Sequence, residues 1–577
     1  MNRPVKIFLW LIAAIAVLFV IAAIMFFLLF DPNDFRDDVE QAVEEATGRE
    51  TTIGGDVSLK LFPWLAVQLG ETRLGNAPGF GDEPFAAFDD VTLSVQILPL
   101  ILERKVMVGT AEINGLQLNL AVKADGTDNW SDLGATQDST VVTDAASGDE
   151  QPGTTSAELA VSGIAIRNAT ITYTSGPDRF SLSEADFTVG PVTGDQDALS
   201  IGPVAFEALI SGLTEIPTQL AFGTDGIEID IPGNVATLQP VNLSILGIDM
   251  HAEFEPVAYG GAPDARATLR VETFSPRSLM TQLGIEPPQT TDPGALSELS
   301  IAATVAIGES SANLSGVTVV VDDTTFTGAM TVPLEDSGRL SVQLEGDAID
   351  LDRYMAVADE AAAGAAEDVP PVEIPVDLIK PLNAQGSLKI GSVQVAGIEL
   401  ENVTLGLDAA NGRMRINPIA AGLYGGQYSG DVRVDVSGAT PALSFDEKID
   451  GVDLGELARA MFEQENVTGT VSGRFNLGGR GGDMNEIRET LDGNVSFELV
   501  DGTYEGTDIW WELRRARALL RQEEPPEPTL PARTRFTSVT ASGQVTDGVL
   551  TSDDLRAELP FMQLTGSGDV DLNEGTV

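Results

Sequence analysis

Between Leu388 and Val436, apolar side chains fall on alternate positions. They come in short runs: Leu388 and Ile390; Val403, Leu405 and Leu407; Met414 and Ile416; Val432, Val434 and Val436. A period of two places every member of a run on one face of a β-strand and cannot build a helical stripe. Gly, Asn or Asp punctuates each gap. Strands of this kind need a common apolar surface to cover. A sandwich, a closed barrel and a long twisted sheet all meet that need, and the pattern leaves the three open.

The same rhythm runs through most of the chain. Strands are expected over 57–61, 66–74, 91–97 and 116–122. In the last, Leu116, Leu118, Leu120 and Val122 alternate with Gln117, Asn119 and Ala121. Three stretches interrupt it: 131–158, a polar segment expected to be a disordered loop; 356–371, an alanine-rich linker ending in Pro370-Pro371; and 521–533, a proline-containing loop. The expected segments are therefore 31–130, 159–355 and 372–577. Short helices are expected only near 454–462, 484–491 and 509–520. The fold class is mainly β, and roughly 30 strands about 4.8 Å apart would extend a single sheet to about 150 Å.

Residues 7–30 carry no charged or polar side chain. As a helix they would span about 36 Å, against a hydrocarbon core of about 30 Å. A cleaved signal has an apolar region of only about 7–15 residues and a small-residue cleavage site. This run ends in Met25-Phe26-Phe27-Leu28-Leu29-Phe30, so a retained anchor is expected. Arg3 and Lys6 precede it, and only Arg36 is basic between Asp31 and Gly48. The positive-inside rule puts residues 1–6 in the cytoplasm and the body outside it, in the periplasm of a cell with two membranes. Asp31-Pro32-Asn33-Asp34 then offers cap chemistry. Phe35, Val39, Ala42, Val43 and Ala46 recur at helical spacing, and Gly48 supplies the stop.

The balance of 33 basic against 88 acidic residues gives a net charge of −55, which repels nucleic acid. Cysteine is absent and His251 is the only histidine, so thiolate sites and multi-histidine metal sites cannot form. His251 reads as an ordinary strand residue. Gly478-Gly479-Arg480-Gly481-Gly482-Asp483 lacks the Gly-Lys-Ser/Thr ending of a phosphate loop, and Asp483 reads as a helix cap. No carboxylate spacing marks a glycosidase pair or a calcium loop. One local feature is basic: Trp510 and Trp511 precede Arg514, Arg515, Arg517 and Arg521. That pattern suits membrane-interface or headgroup contacts, or else a helix laid on a sheet.

The N-terminal segment resembles the AsmA family of bacterial envelope proteins. The matching elements are the anchor, Thr47-Gly48-Arg49, Leu61-Phe62-Pro63-Trp64-Leu65, Leu74-Gly75-Asn76-Ala77-Pro78-Gly79-Phe80, Leu98-Pro99-Leu100 and Asp125-Gly126-Thr127-Asp128-Asn129-Trp130. A second block comprises Leu423-Tyr424-Gly425-Gly426, Leu491-Asp492-Gly493 and the run from Asp501 to Ile509. AsmA-like proteins are similar to TamB and to the chorein-type bridge proteins of eukaryotes. The resemblance implies an inner-membrane helix followed by an elongated, taco-like, mostly antiparallel β-groove that conducts lipid acyl chains. It also implies a longer distal end, since the chain stops within its strand pattern at Val577.

The expectation is a non-enzymatic lipid-transfer conduit without cofactors, supporting outer-membrane biogenesis. Its partners would be phospholipid acyl chains, the inner membrane, and an outer-membrane or periplasmic protein. The alternating apolar residues named above are the groove candidates. The alternative is a scaffold or regulator of outer-membrane protein assembly.

Overall fold

A computed structural model describes residues 32–60, 64–96, 107–134, 159–212, 214, 216–261, 264–335, 337–357, 373–528, 530–560 and 562–573. The anchor segment 7–30, most of the loop 131–158 and most of the linker 356–371 lie outside these residues. Among the described residues no helix is long and apolar enough to cross a membrane. The chain divides into two units, Met1–Gly261 with Leu279–Ile285, and Ala262–Ser278 with Glu286–Val577. The fold is mainly β, in open mixed sheet with a few short helices. The helices are α1 (Arg36–Thr47), α2 (Pro276–Gln282), α3 (Val376–Ile379), α4 (Leu454–Phe462), α5 (Met484–Glu489) and α6 (Ile509–Arg521).

In the first unit the long strand Leu159–Ser175 is the hub. Met107–Asn114 pairs with its first half and Gln117–Val122 with its second, both in parallel. On its other side Asp178–Val189 pairs antiparallel. Beyond that come Val204–Ser211, Thr218–Thr224, Val241–Ile245 and Ile248–Phe254, each antiparallel to the one before. Register shifts occur beside Asn168 (φ 52) and Glu184 (φ 50). Each is a bulge that absorbs one extra residue. The bulges keep Ile166 and Ala169, and Leu182 and Ala185, on one face, where Ala169, Ala185 and Ala208 form a buried cluster.

In the second unit the strands follow sequence order. Ala265–Phe274, Leu299–Ile307, Ser311–Val321, Thr324–Pro333 and Leu340–Asp350 are joined antiparallel. Leu340–Asp350 then pairs in parallel with Ala384–Val395. From there antiparallel neighbours continue through Ile398–Ala410, Arg413–Leu423, Gly426–Asp435, Ala442–Asp453, Val467–Arg480, Asp492–Glu505, Arg533–Thr546, Val549–Leu559 and Met562–Asp571. Two-residue turns set the register. Asn411-Gly412 has φ of 54° and 73°, and Asp547-Gly548 has 48° and 77°. Positive φ at both central positions gives a turn whose twist matches the strands it joins.

The helix ends show which caps the sequence specified. Gly48 ends α1 at φ 69°, as expected, but Phe35 stands at its N-cap without a side-chain bond. Asn33 is used elsewhere: its Oδ1 accepts from Arg36 at 3.1 Å and from the Val57 N–H at 2.9 Å. The preceding turn, Pro32–Phe35, is 3-10, so the expected cap is displaced by a tie to the first strands. Asp483 does cap α5, accepting from the Asn485 and Glu486 N–H groups. Glu486 reaches back to accept from the Gly482 N–H at 2.7 Å, one residue before the cap, and so closes this glycine-rich turn.

Candidate functional site

Register converts scattered apolar residues into continuous rows. In the first unit Val57 faces Leu69, Leu69 faces Val91, and Val91 faces Ile113. Ile113 faces Ile166, which faces Phe187. The row continues through Phe206, Phe222, Leu243 and Met250. No member carries a polar group. Most are half-buried, and some are more open: Phe222 is 36% exposed and, in the neighbouring row, Val67 is 41% and its partner Leu93 53%. Alternate residues of these strands point the other way and are polar or small, as with Glu207, Ala221, Asn242, Asp249 and His251. His251 Nδ1 lies 2.8 Å from Asn242 Oδ1 and its Nε2 3.3 Å from Glu253.

The second unit repeats the design. Val271, Ile301, Val319 and Phe326 face one another in turn, followed by Gly346, Ile390 and Val403. A second row runs Leu407, Ile416, Val432, Phe445 and Leu477. Its opposite face is a ladder of ion pairs: Lys389–Glu345 at 3.1 Å, Arg413–Asp435 at 2.9 Å and Arg474–Asp446 at 2.9 Å. Arg415 and Arg433 sit directly opposite each other and share Asp431, at 2.5 and 2.6 Å. The two guanidiniums hold the Asp431 carboxyl well below the usual carboxylate range. Ser437 and Arg413 lower Asp435 to about 2.

A third row is broken. It passes from Leu388 through Leu405, Ile419 and Gly430 to Glu447, then resumes at Phe475 and Val495. The Tyr428 hydroxyl donates to Glu447 Oε2 at 2.5 Å. Burial among apolar neighbours pushes the Glu447 carboxyl up, against the Tyr428 hydrogen bond. The same burial, with the carboxylate beside it, pushes the Tyr428 hydroxyl up.

The N-terminal motifs converge on a buried polar lock. Arg49 is 3% exposed; its Nη2 donates to the Asn129 carbonyl at 2.7 Å and to Asp132 at 2.5 Å, and its guanidinium lies 4.6 Å from the Phe85 ring centre. Asn129 is 0% exposed and fully used. Its Nδ2 donates to Asn76 Oδ1 and the Asn119 carbonyl, and its Oδ1 accepts from the Ala121 N–H, all at 2.8–2.9 Å. Lys123 Nζ sits 3.9 Å above the Phe80 ring. These residues fasten the strand ends together, and the arrangement is structural.

With this architecture established, the comparisons identify the lineage. The sequence model of the AsmA family matches residues 1–194 and 267–555. The chain belongs to the AsmA family. Protein AsmA of Escherichia coli (strain K12) is 20% identical over 565 residues, covering 95% of this chain and 83% of that protein. No solved structure matches the chain.

Within this AsmA-family chain the predicted residues fall into four settings. Leu388, Ile390, Val403, Leu405, Leu407, Ile416 and Val432 share one face and meet across strands, with Ile390 and Val403 buried in a cluster with Val393 and Ala421. Met414, Val434 and Val436 are on that face too, but they pack with Ile379 beneath α3. In the first unit Leu118, Leu120 and Val122 line up with Ile171, Tyr173 and Ser175, and Leu116 packs on the alanine cluster. The remaining candidates lie on α6. Trp510 is 42% exposed with Arg514 at 5.9 Å from its ring centre. Trp511 is half-buried, donates its indole N–H to the Pro526 carbonyl at 3.0 Å, and lies beneath Arg515. The Phe187–Phe206–Phe222 row, 36% exposed at Phe222, was not singled out from sequence. Its signal was there, as one phenylalanine per strand at positions brought level by pairing.

Proposed function

We propose that this chain is a membrane-anchored conduit for lipid acyl chains, supporting outer-membrane biogenesis in a two-membrane envelope. Residues 7–30 would hold it in the inner membrane, and the sheet faces would carry lipid through the periplasm. The observation that carries this reading is the row from Val57 to Met250, apolar throughout and, beyond the buried Val57, left part-exposed by the fold. An apolar surface of this length is costly in water. An acyl chain laid along it would gain about 0.8 kcal/mol per methylene removed from water. Binding on such a face is collective and needs no catalytic residue, which fits a non-enzymatic role.

The alternation of faces supplies the test. A photo-crosslinking residue placed at Phe222 or Val432 should capture phospholipid in cells, and one placed at Ala221 or Arg433, on the opposite faces, should not. Equal labelling at all four positions would sink the proposal. Protein adducts in place of lipid at Phe222 would favour the assembly scaffold.

A further inference from the structure

We propose that α6 and the pocket beside it form a docking site for an anionic phospholipid surface. The inference is separate from carriage along the sheet faces, because it concerns an outer helix. In a chain of net charge −55, α6 carries four arginines against the single carboxylate Glu512. Elsewhere in the unit Arg339, Arg353, Arg413 and Arg474 each hold a carboxylate within 3 Å. Among the described residues Arg514, Arg517 and Arg521 form no ion pair.

The apolar side of the same helix is also left open. Of its residues only Ala518 is buried. Leu513 is 45% exposed, Leu519 58% and Leu520 87%. Trp510, Arg514, Arg517 and Arg521 follow helical spacing along one stripe, and Leu513 and Leu520 lie on the stripe next to it. Leucines that enter the acyl boundary while adjacent arginines stay at headgroup level are the arrangement of an interfacial helix. An acidic protein surface would use the arginines and leave the leucines wet.

A pocket of about 220 Å³ opens beside Trp510, lined by Arg533, Thr534 and Arg535 on one side and Leu559, Pro560 and Met562 on another. Two arginines and several apolar side chains lining one pocket suit a phosphate and the start of its acyl chain. Asp508 also lines it, and its carboxylate is engaged as the α6 cap, accepting the Trp511 N–H at 2.9 Å.

The chain has no cysteine, so a single Leu520→Cys substitution can carry an environment-sensitive dye at this site alone. The full chain, reconstituted in neutral nanodiscs, would be mixed with vesicles of phosphatidylcholine alone or with added phosphatidylglycerol. A blue shift only with the anionic vesicles, weakened by salt, is the expected result. Replacing Arg514, Arg517 and Arg521 with Gln should weaken it about fivefold per arginine, and replacing them with Lys should preserve it. An equal response to neutral vesicles, no response to either, or a Gln variant that binds undiminished would overturn the proposal. Circular dichroism checks that each variant is folded. Phospholipid capture at Phe222 can succeed or fail independently of this result.

Discussion

In the first unit the row from Val57 to Met250 crosses the sheet without meeting a polar side chain, whereas in the second the row through Leu405 and Ile419 reaches Glu447. The strands are otherwise alike, with one apolar face and one polar face. The difference is chemical. A face without titratable groups presents the same surface at every pH and favours no position along it. A face carrying one half-buried carboxylate is charged or neutral according to pH, and an acyl chain lying across it meets a barrier when it is charged. The opposite face behaves inversely, because Arg415 and Arg433 hold Asp431 ionised and Ser437 with Arg413 does the same for Asp435.

The largest expected effect comes from breaking the first row as the second is broken. Phe222→Asp places a carboxylate where Phe206 and Leu243 meet it. Lipid capture at Phe206 should fall about tenfold or more. Capture at Val432 serves as the internal control. Since Phe222 is 36% exposed, the variant should remain folded. Undiminished capture would mean the row is not used.

Next is the first unit's lock around Arg49 and Asn129. Asn129→Ala strands the Ala121 N–H and the Asn119 carbonyl together. The loss should be about 3 kcal/mol. Hydrogen exchange should show faster opening in the first unit alone; protection unchanged there would refute the structural role.

Repairing the second row is a smaller change. Glu447→Leu combined with Tyr428→Phe removes both polar groups and should stabilise the second unit by about 1–2 kcal/mol. The sign of the pH effect follows from the raised carboxyl. Glu447 is easier to protonate folded than unfolded, so its contribution is most favourable below the ordinary carboxylate pKa. That contribution is lost as pH rises through the folded value. Asp431 and Asp435 contribute the reverse, a stability present at neutral pH and lost in strong acid. Chemical unfolding of unaltered chain and double variant across mildly acidic pH should show the first contribution vanish and the second persist.

The smallest effect concerns a turn. Ala396 and Gly397 have φ of 51° and 74° between Val395 and Ile398. Ala396→Asn should stabilise the second unit by about 0.5 kcal/mol, because asparagine tolerates the left-handed region better. A thermal melt resolves this, and a drop in stability would contradict the turn assignment.

What was legible in the sequence was the local pattern. The period of two from Leu388 to Val436 places those residues on one face, and the Gly, Asn or Asp that punctuates the gaps sits in turns such as Asn411-Gly412. Pairing partners were not legible. Nothing in Met107–Asn114 announces that it joins Leu159–Ser175 in parallel across a long connection. The bulges at Asn168 and Glu184 also break strict alternation, which hid the first-unit row. Glu447 was missed because Ala442–Asp453 reads as an ordinary mixed strand until its register with Gly430 is known. Val434 and Val436 looked like open-face positions, and a cover as short as α3 leaves little periodic signal.

The central claim is that lipid lies on the apolar faces. Native mass spectrometry with lipid extraction tests it directly, on the full chain, unaltered and with Phe222→Asp and Leu93→Asp. The account predicts several phospholipids retained by the unaltered chain and most of them lost from the folded variants. A folded chain that carries no lipid, or variants that carry as much as the unaltered protein, would contradict it.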